Sequence, residues 1–127
     1  MSNKFFDHIS KPTLLLDEAQ ARRNIHTMVE KARNAGVIFR PHFKTHQSLE
    51  IGRWFRGEGV NRITVSSVDM AEYFALDGWE DITIAFSMNP RQMDEIENLG
   101  KKINLGVLIE NREALILLKN NISYKQN

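Results

Sequence analysis

The chain has 127 residues, of which 42% are apolar, and 17 Lys and Arg stand against 16 Asp and Glu for a formal net charge of +1. That length holds one domain, and so small a charge excludes the electrostatic field that steers nucleic acid or an anionic membrane surface. With no cysteine in the chain, disulfides, thiolate nucleophiles and cysteine-ligated zinc are excluded as well.

Residues 1–11 read as a polar lead-in, and Met1-Ser2-Asn3-Lys4 introduces no apolar signal segment. Apolar runs are a few residues long, far short of a membrane span, so a cytoplasmic protein without membrane or nucleic-acid partners is expected. Leu14-Leu15-Leu16, introduced by Pro12, reads as a strand. Asp17 then stands as an N-cap with Gln20 three residues on, the pattern of a capping box. Ala21, Ile25, Met28, Val29 and Ala32 follow at helical spacing, and Gly36 is placed to end that helix.

Val37-Ile38-Phe39 predicts a strand that runs into Arg40-Pro41-His42-Phe43-Lys44-Thr45-His46. A helix is predicted from about Ser48 to Arg56, ending at Gly57 and Gly59, then a strand over 62–66. A helix over 68–77 is stopped by Gly78, and a strand follows over 81–86. Asn89-Pro90 starts the next helix, with Asn as cap and Pro in the first turn, and Met93, Ile96 and Leu99 mark its apolar face as far as Gly100. A strand over 103–109 and a helix over 111–118 complete the pattern before a polar tail, 120–127, that is expected to fray.

Strand and helix alternate about every 20 residues, which predicts an α/β fold with a parallel sheet built from right-handed crossovers. An open doubly wound sheet and a (β/α)8 barrel both fit. The lack of a G-x-G-x-x-G after the first strand weakens the dinucleotide-binding reading. About four strands make half a barrel, with sheet edges left unpaired. Such a half is either part of a longer protein or is completed by a second copy, as a homodimer.

The segment from Arg40 to His46 concentrates the chemistry. In a barrel the carboxyl end of a strand faces the active-site mouth, and Lys44 falls there. A neutral lysine amine attacks an aldehyde to form a Schiff base, and partial burial or nearby cations favour that neutral form. Arg40, His42 and His46 are the cations within reach in sequence. The bland reading makes Lys44 a solvated loop residue. His42 and His46 are four apart, but Pro41 argues against a helix and no acidic third ligand is near, so no metal site is expected from them. They orient a lysine or a cofactor, or simply pack. Ser66, Ser67, Phe86, Ser87 and Asn89 fall at strand ends, where groups line a pocket, although the serines and Asn89 equally suit helix caps. Trp54, Tyr73 and Phe74 lie on predicted helices as packing residues, and Arg22-Arg23 lies on a solvated helix face.

Arg40-Pro41-His42-Phe43-Lys44-Thr45-His46 resembles the RPHxKTH signature of the D-threonine aldolase and D-serine dehydratase family. The flanks agree: Pro12-Thr13-Leu14-Leu15-Leu16-Asp17, Arg23-Asn24-Ile25 and Asp77-Gly78-Trp79-Glu80-Asp81-Ile82 resemble that family's motifs, so the likeness runs over about residues 12–118. Two positions depart from it: Gln47 stands where a second lysine is common, and Met70-Ala71 where Glu-Ala is common.

The resemblance implies a partial (β/α)8 barrel of the alanine-racemase type. Residues 1–127 would be the N-terminal part of a domain that binds pyridoxal 5′-phosphate, with about four βα units present and the remaining barrel and a C-terminal β-domain absent. It implies that Lys44 is the catalytic Schiff-base lysine. His42 and His46 match motif positions, and with Ser66 they are the further cofactor-binding candidates. A divalent metal would find its ligands outside this chain. The implied function is a pyridoxal-phosphate-dependent lyase acting on small D-β-hydroxy amino acids, D-threonine aldolase-like, with this length alone expected to be inactive. The alternatives are D-serine dehydratase, an amino-acid racemase, or a non-catalytic, cofactor-binding or self-associating half barrel.

Overall fold

The computed structural model describes residues 6–122. Among them, five α-helices and three strands follow one another as α1 (Glu18–Asn34), α2 (Leu49–Gly57), β1 (Ile63–Val65), α3 (Val68–Leu76), β2 (Asp81–Ser87), α4 (Met93–Gly100), β3 (Asn104–Leu108) and α5 (Arg112–Asn121). Short 3-10 turns occupy Phe6–His8, Phe43–Thr45 and Pro90–Gln92. The ends of the lead-in and of the polar tail, 1–5 and 123–127, lie outside the described residues.

Each helix start has a local cause. Asp17, Ser48, Ser67 and Asn111 accept a backbone N–H three residues on at the starts of α1, α2, α3 and α5, each cap being worth about 1 kcal/mol. The capping box at α1 forms only in half. Gln20 donates its N–H to Asp17, but its side chain turns forward to Asn24. Asn89 caps the 3-10 turn Pro90–Gln92, and α4 continues from it at Met93. The turns after α2 and α3 close at Gly59 and Gly78, whose φ angles of 85° and 86° are left-handed conformations that glycine adopts without strain.

The three strands are all parallel and lie in the order β1-β2-β3. Sequential order with right-handed crossovers puts every helix on the same face of the sheet. A doubly wound sheet needs a reversal of strand order, and none occurs here. Three strands in this order suit an arc of a barrel wall, an order that one half of a doubly wound sheet shares. Burial alternates accordingly: Ile63, Val65, Ile82 and Ile84 are buried toward the helices, whereas Thr64, Thr83 and Ala85 on the other face are only half-buried.

Two expected strands are not strands. Leu14-Leu15-Leu16 is irregular and exposed, and Val37-Ile38-Phe39 joins no ladder. The second segment runs beside β1 but meets it through one parallel bridge, His42 to Thr64, and one hydrogen bond from the Thr64 N–H to the Pro41 carbonyl at 2.8 Å. Strand character needs a partner along its length, and among the described residues these stretches have almost none. Three strand-helix units are thus complete, and the extended segment with α2 supplies a fourth, loosely attached.

The core lies between the sheet and the helices, and its centre is Phe43. This ring is wholly buried, with its centroid 5.0–5.2 Å from those of Phe74, Phe55 and Trp79. Gly52 of α2 makes room for it: a Cβ there would lie 3.2 Å from Phe43 Cε2. Trp54 and Phe74 take the packing roles expected of them, Phe74 buried and Trp54 under the Arg22 guanidinium at 4.3 Å. Phe43→Ala should lower the unfolding free energy by about 3–5 kcal/mol, read from urea denaturation of the chain beside wild type. A loss below about 1 kcal/mol would mean that the ring is not the centre of the core.

Candidate active site

The face of the sheet away from the helices is set by strand register. His42, Thr64, Thr83 and Gly106 lie side by side across it. A side chain at Gly106 would come within 2.9 Å of Thr83 Oγ1, so the threonine occupies the space that this glycine leaves. Two residues toward the amino ends of the strands, Arg40 binds Asp81 at 2.7 Å and donates to the Ile63 carbonyl at 3.2 Å, while Arg62 approaches the same carboxylate at 3.6 Å. Two residues toward the carboxyl ends lie Lys44 and Ser66. The open face is therefore ionic at one end, hydroxyl-rich in the middle, and carries a lysine at the end where a barrel's active site sits.

Lys44 rides on the 3-10 turn Phe43–Thr45. Phe43 anchors this turn in the core while its neighbour Lys44 is exposed. The Lys44 amine makes no ion pair or hydrogen bond with any other described residue. The turn starts at His42, whose Nδ1 accepts the Lys44 N–H at 3.2 Å. His42 is half-buried, and burial, followed by the charge of Lys44, pushes its pKa below 6.5. A neutral ring is what an Nδ1 acceptor requires.

His46 goes the other way. Its ring enters the layer between sheet and helices, with centroids 4.5 Å from Phe43, 5.9 Å from Phe55 and 6.3 Å from Phe74. Nδ1 accepts the Ser48 N–H at 3.2 Å, which places the proton of the neutral ring on Nε2. That Nε2 is buried with no hydrogen-bond partner and faces an aromatic surround. Burial lowers this histidine's pKa.

The structure thus keeps His42 beside the Lys44 turn and sends His46 to the opposite side, while Ser66 lies at the end of β1 on a cavity that neither Lys44 nor His42 lines. Ser66 has no hydrogen-bond partner among the described residues and borders a cavity of about 200 Å³ with Ser67, Phe86, Ser87 and Asn89. Ser67 and Asn89 act as caps as well. Arg40, expected among the cations near Lys44, is engaged with Asp81 at the far end of the strands. Thr64 and Thr83 were given no role from sequence, although the alternation Ile-Thr-Val and Asp-Ile-Thr-Ile marks them as the polar face of their strands. Among the described residues no three His, Asp or Glu side chains come together to hold a metal ion, and no helix is long and apolar enough to cross a membrane.

Comparison with known proteins agrees with the fold. D-threo-3-hydroxyaspartate dehydratase of Delftia sp. (strain HT23) is 33% identical over 94 residues, 74% of this chain and 25% of that protein. D-serine dehydratase of Dictyostelium discoideum is 30% identical over 120 residues, 90% of this chain and 30% of that protein. D-threonine aldolase of Arthrobacter sp. is 28% identical over 108 residues, 84% and 28% of the two chains. Among solved structures, the Delftia dehydratase superposes with a TM-score of 0.84 at 29% identity, over 89% of this chain and 30% of its own. An alanine-racemase-like protein from Idiomarina loihiensis does so with a TM-score of 0.84 at 28% identity, over 91% and 31%. No family model matches the chain. The chain spans between 25% and 31% of the length of these proteins.

The residues present suit the aldehyde cofactor implied by the signature at its attachment point. They offer an exposed primary amine with no ion-pair or hydrogen-bond partner among the described residues, on a turn that an imidazole braces. The two lowered histidines also have a consequence for stability. A histidine that binds protons more weakly when folded adds stability that is fully present above its unfolded pKa of 6.5. That stability is lost as pH falls through the folded value. His26 works in the opposite sense, its pKa raised by the hydrogen bond to Glu58. Comparing variants isolates the buried ring: from about pH 7.5 to about pH 5.5 the unfolding free energy should fall less in His46→Phe than in wild type. Parallel curves in urea denaturation would show that His46 does not contribute.

Proposed function

We propose, this chain being a homologue of the D-threonine aldolase and D-serine dehydratase group, that it is the lysine-bearing part of a pyridoxal-phosphate-dependent lyase acting on D-β-hydroxy amino acids. The single observation that carries the reading is the unpaired Lys44 amine, held on an anchored turn at the carboxyl end of the open sheet face. Lys44 is the residue that would hold the cofactor. Pyridoxal phosphate, when bound, supplies an electron sink conjugated to the substrate's Cα.

The chain's own residues divide the remaining work. His42 borders the amine and keeps its turn in shape as a neutral acceptor. The Ser66 hydroxyl faces a cavity at the same strand ends and is free to donate to an anionic oxygen. His46 fixes the far side of the turn through Ser48 and its aromatic neighbours. Lys44 Nζ is also the group placed to accept or return a proton during the reaction. The rest of the pocket, with any metal, belongs to the length of the relatives that this chain does not span.

The D-threonine aldolase-like reading cleaves the Cα–Cβ bond and releases an aldehyde. A dehydratase reading stands beside it because relatives of both names match at similar identity, dehydratases at 33%, 30% and 27% and aldolases at 30% and 28%. The test of the shared premise is titration of the chain with pyridoxal phosphate, borohydride reduction and peptide mapping, for wild type and Lys44→Ala. The expected outcome is a dominant reduced adduct at Lys44 that the variant lacks. Adducts scattered over Lys31, Lys101 and Lys102, or equal labelling of the variant, would overturn the proposal. Product analysis on a longer form then separates the two reactions, since D-threonine cleavage yields glycine and acetaldehyde whereas D-serine dehydration yields pyruvate and ammonia.

A further inference from the structure

Nothing in the reaction as proposed accounts for Gln47. Among the described residues it is the only one other than glycine with a positive φ, at 46°. That conformation is uncommon outside glycine, asparagine and aspartate. Residues held in such sparsely populated regions persist where the surrounding contacts demand them, and they gather at functional sites.

The contacts here are specific. The Gln47 N–H closes the turn on the Phe43 carbonyl at 3.1 Å. Its side-chain amide donates to the Lys44 carbonyl at 3.3 Å. On the other side His42 Nδ1 accepts the Lys44 N–H at 3.2 Å. Both backbone polar groups of Lys44 are thus engaged by side chains, while its amine is unengaged. Neither group is taken up by a strand ladder, because the segment meets β1 only through the bridge at His42.

We infer that His42 and Gln47 are positioning residues for Lys44, gripping the N–H and the carbonyl of its backbone so that the amine is presented from the open face in one direction. The inference rests on the reading of Lys44 as the cofactor lysine. It gives the left-handed backbone of Gln47 a purpose, since in this conformation its amide returns to the carbonyl three residues earlier. It also gives His42 a task that needs an acceptor atom and not an imidazole as such.

Three variants test it, with pyridoxal phosphate as the probe and borohydride trapping at Lys44 followed over time. Gln47→Gly relieves the backbone and deletes the donor, so stability and labelling should part company. The thermal midpoint should hold or rise, while labelling at Lys44 slows on the order of tenfold, since misplacing a reacting group is costly. His42→Leu should slow labelling similarly. His42→Asn should restore most of it, because an asparagine oxygen accepts the N–H two residues on. Amide hydrogen exchange, read without cofactor, should show Lys44 N–H protection lost in His42→Leu and kept in His42→Asn.

Equal labelling of wild type, Gln47→Gly and His42→Leu would overturn the inference and leave Lys44 as the cofactor lysine. So would His42→Asn behaving as His42→Leu, or Gln47→Gly losing stability together with labelling. Failure of wild type itself to label at Lys44 would overturn the proposed function and the inference with it.

Discussion

Phe43 and Lys44 are adjacent in sequence and opposite in fate, and the candidate site depends on that opposition. The aromatic ring is wholly buried among Phe55, Phe74 and Trp79, and the amine beside it is exposed. The apolar neighbour supplies the anchoring energy, and the charged neighbour is left at the surface. Because protein cores are close-packed, a ring set against α2 with only a glycine-sized gap at Gly52 allows little freedom to the turn it belongs to. Lys44 inherits that rigidity without being buried itself.

The same division extends over the sheet. Toward the helices the strands present Ile63, Val65, Ile82 and Ile84. On the other face they present Thr64, Thr83 and, at the amino ends, the Arg40–Asp81–Arg62 group. The ion pairs stitch the loosely attached extended segment to β1 and β2 where backbone hydrogen bonds are lacking. An ion-paired cluster and a single lysine thus sit toward opposite ends of the strands. At the amino end arginine charge is matched by a carboxylate, and at the carboxyl end the lysine is left unmatched. A paired cation holds structure, and an unpaired amine is available to a ligand.

The named relatives include dehydratases and an aldolase. Under the proposed function both reactions start from a D-β-hydroxy amino acid, and Lys44 would hold the cofactor for either. What separates them is which bond to Cβ breaks, and that depends on groups around the substrate's side chain. Under the same proposal Lys44 and its turn would serve either reaction, in keeping with a likeness that reaches enzymes of both names.

The helices were legible from sequence because their signals are local. Asp17, Ser48, Ser67 and Asn111 each cap the N–H three residues on, and glycines at 59 and 78 close the turns after α2 and α3. The strand-helix rhythm and the Arg40–His46 signature likewise needed nothing beyond neighbouring residues. What the sequence alone left undecided depends on partners distant along the chain. Val37-Ile38-Phe39 has the composition of a strand, but strand pairing is a property of two segments, and the available edge bonds it only near His42. His42 and His46 look equivalent in the signature. Their sides are chosen by where α2 and α3 place aromatic rings, so that one faces the lysine and the other the core. Arg40 is drawn to Asp81, and Gln47 takes a left-handed backbone, for reasons that exist only once the turn is folded. Caps and periodicity are decided within about a helical turn, whereas burial, ion pairing and backbone strain are decided by whatever the fold brings alongside.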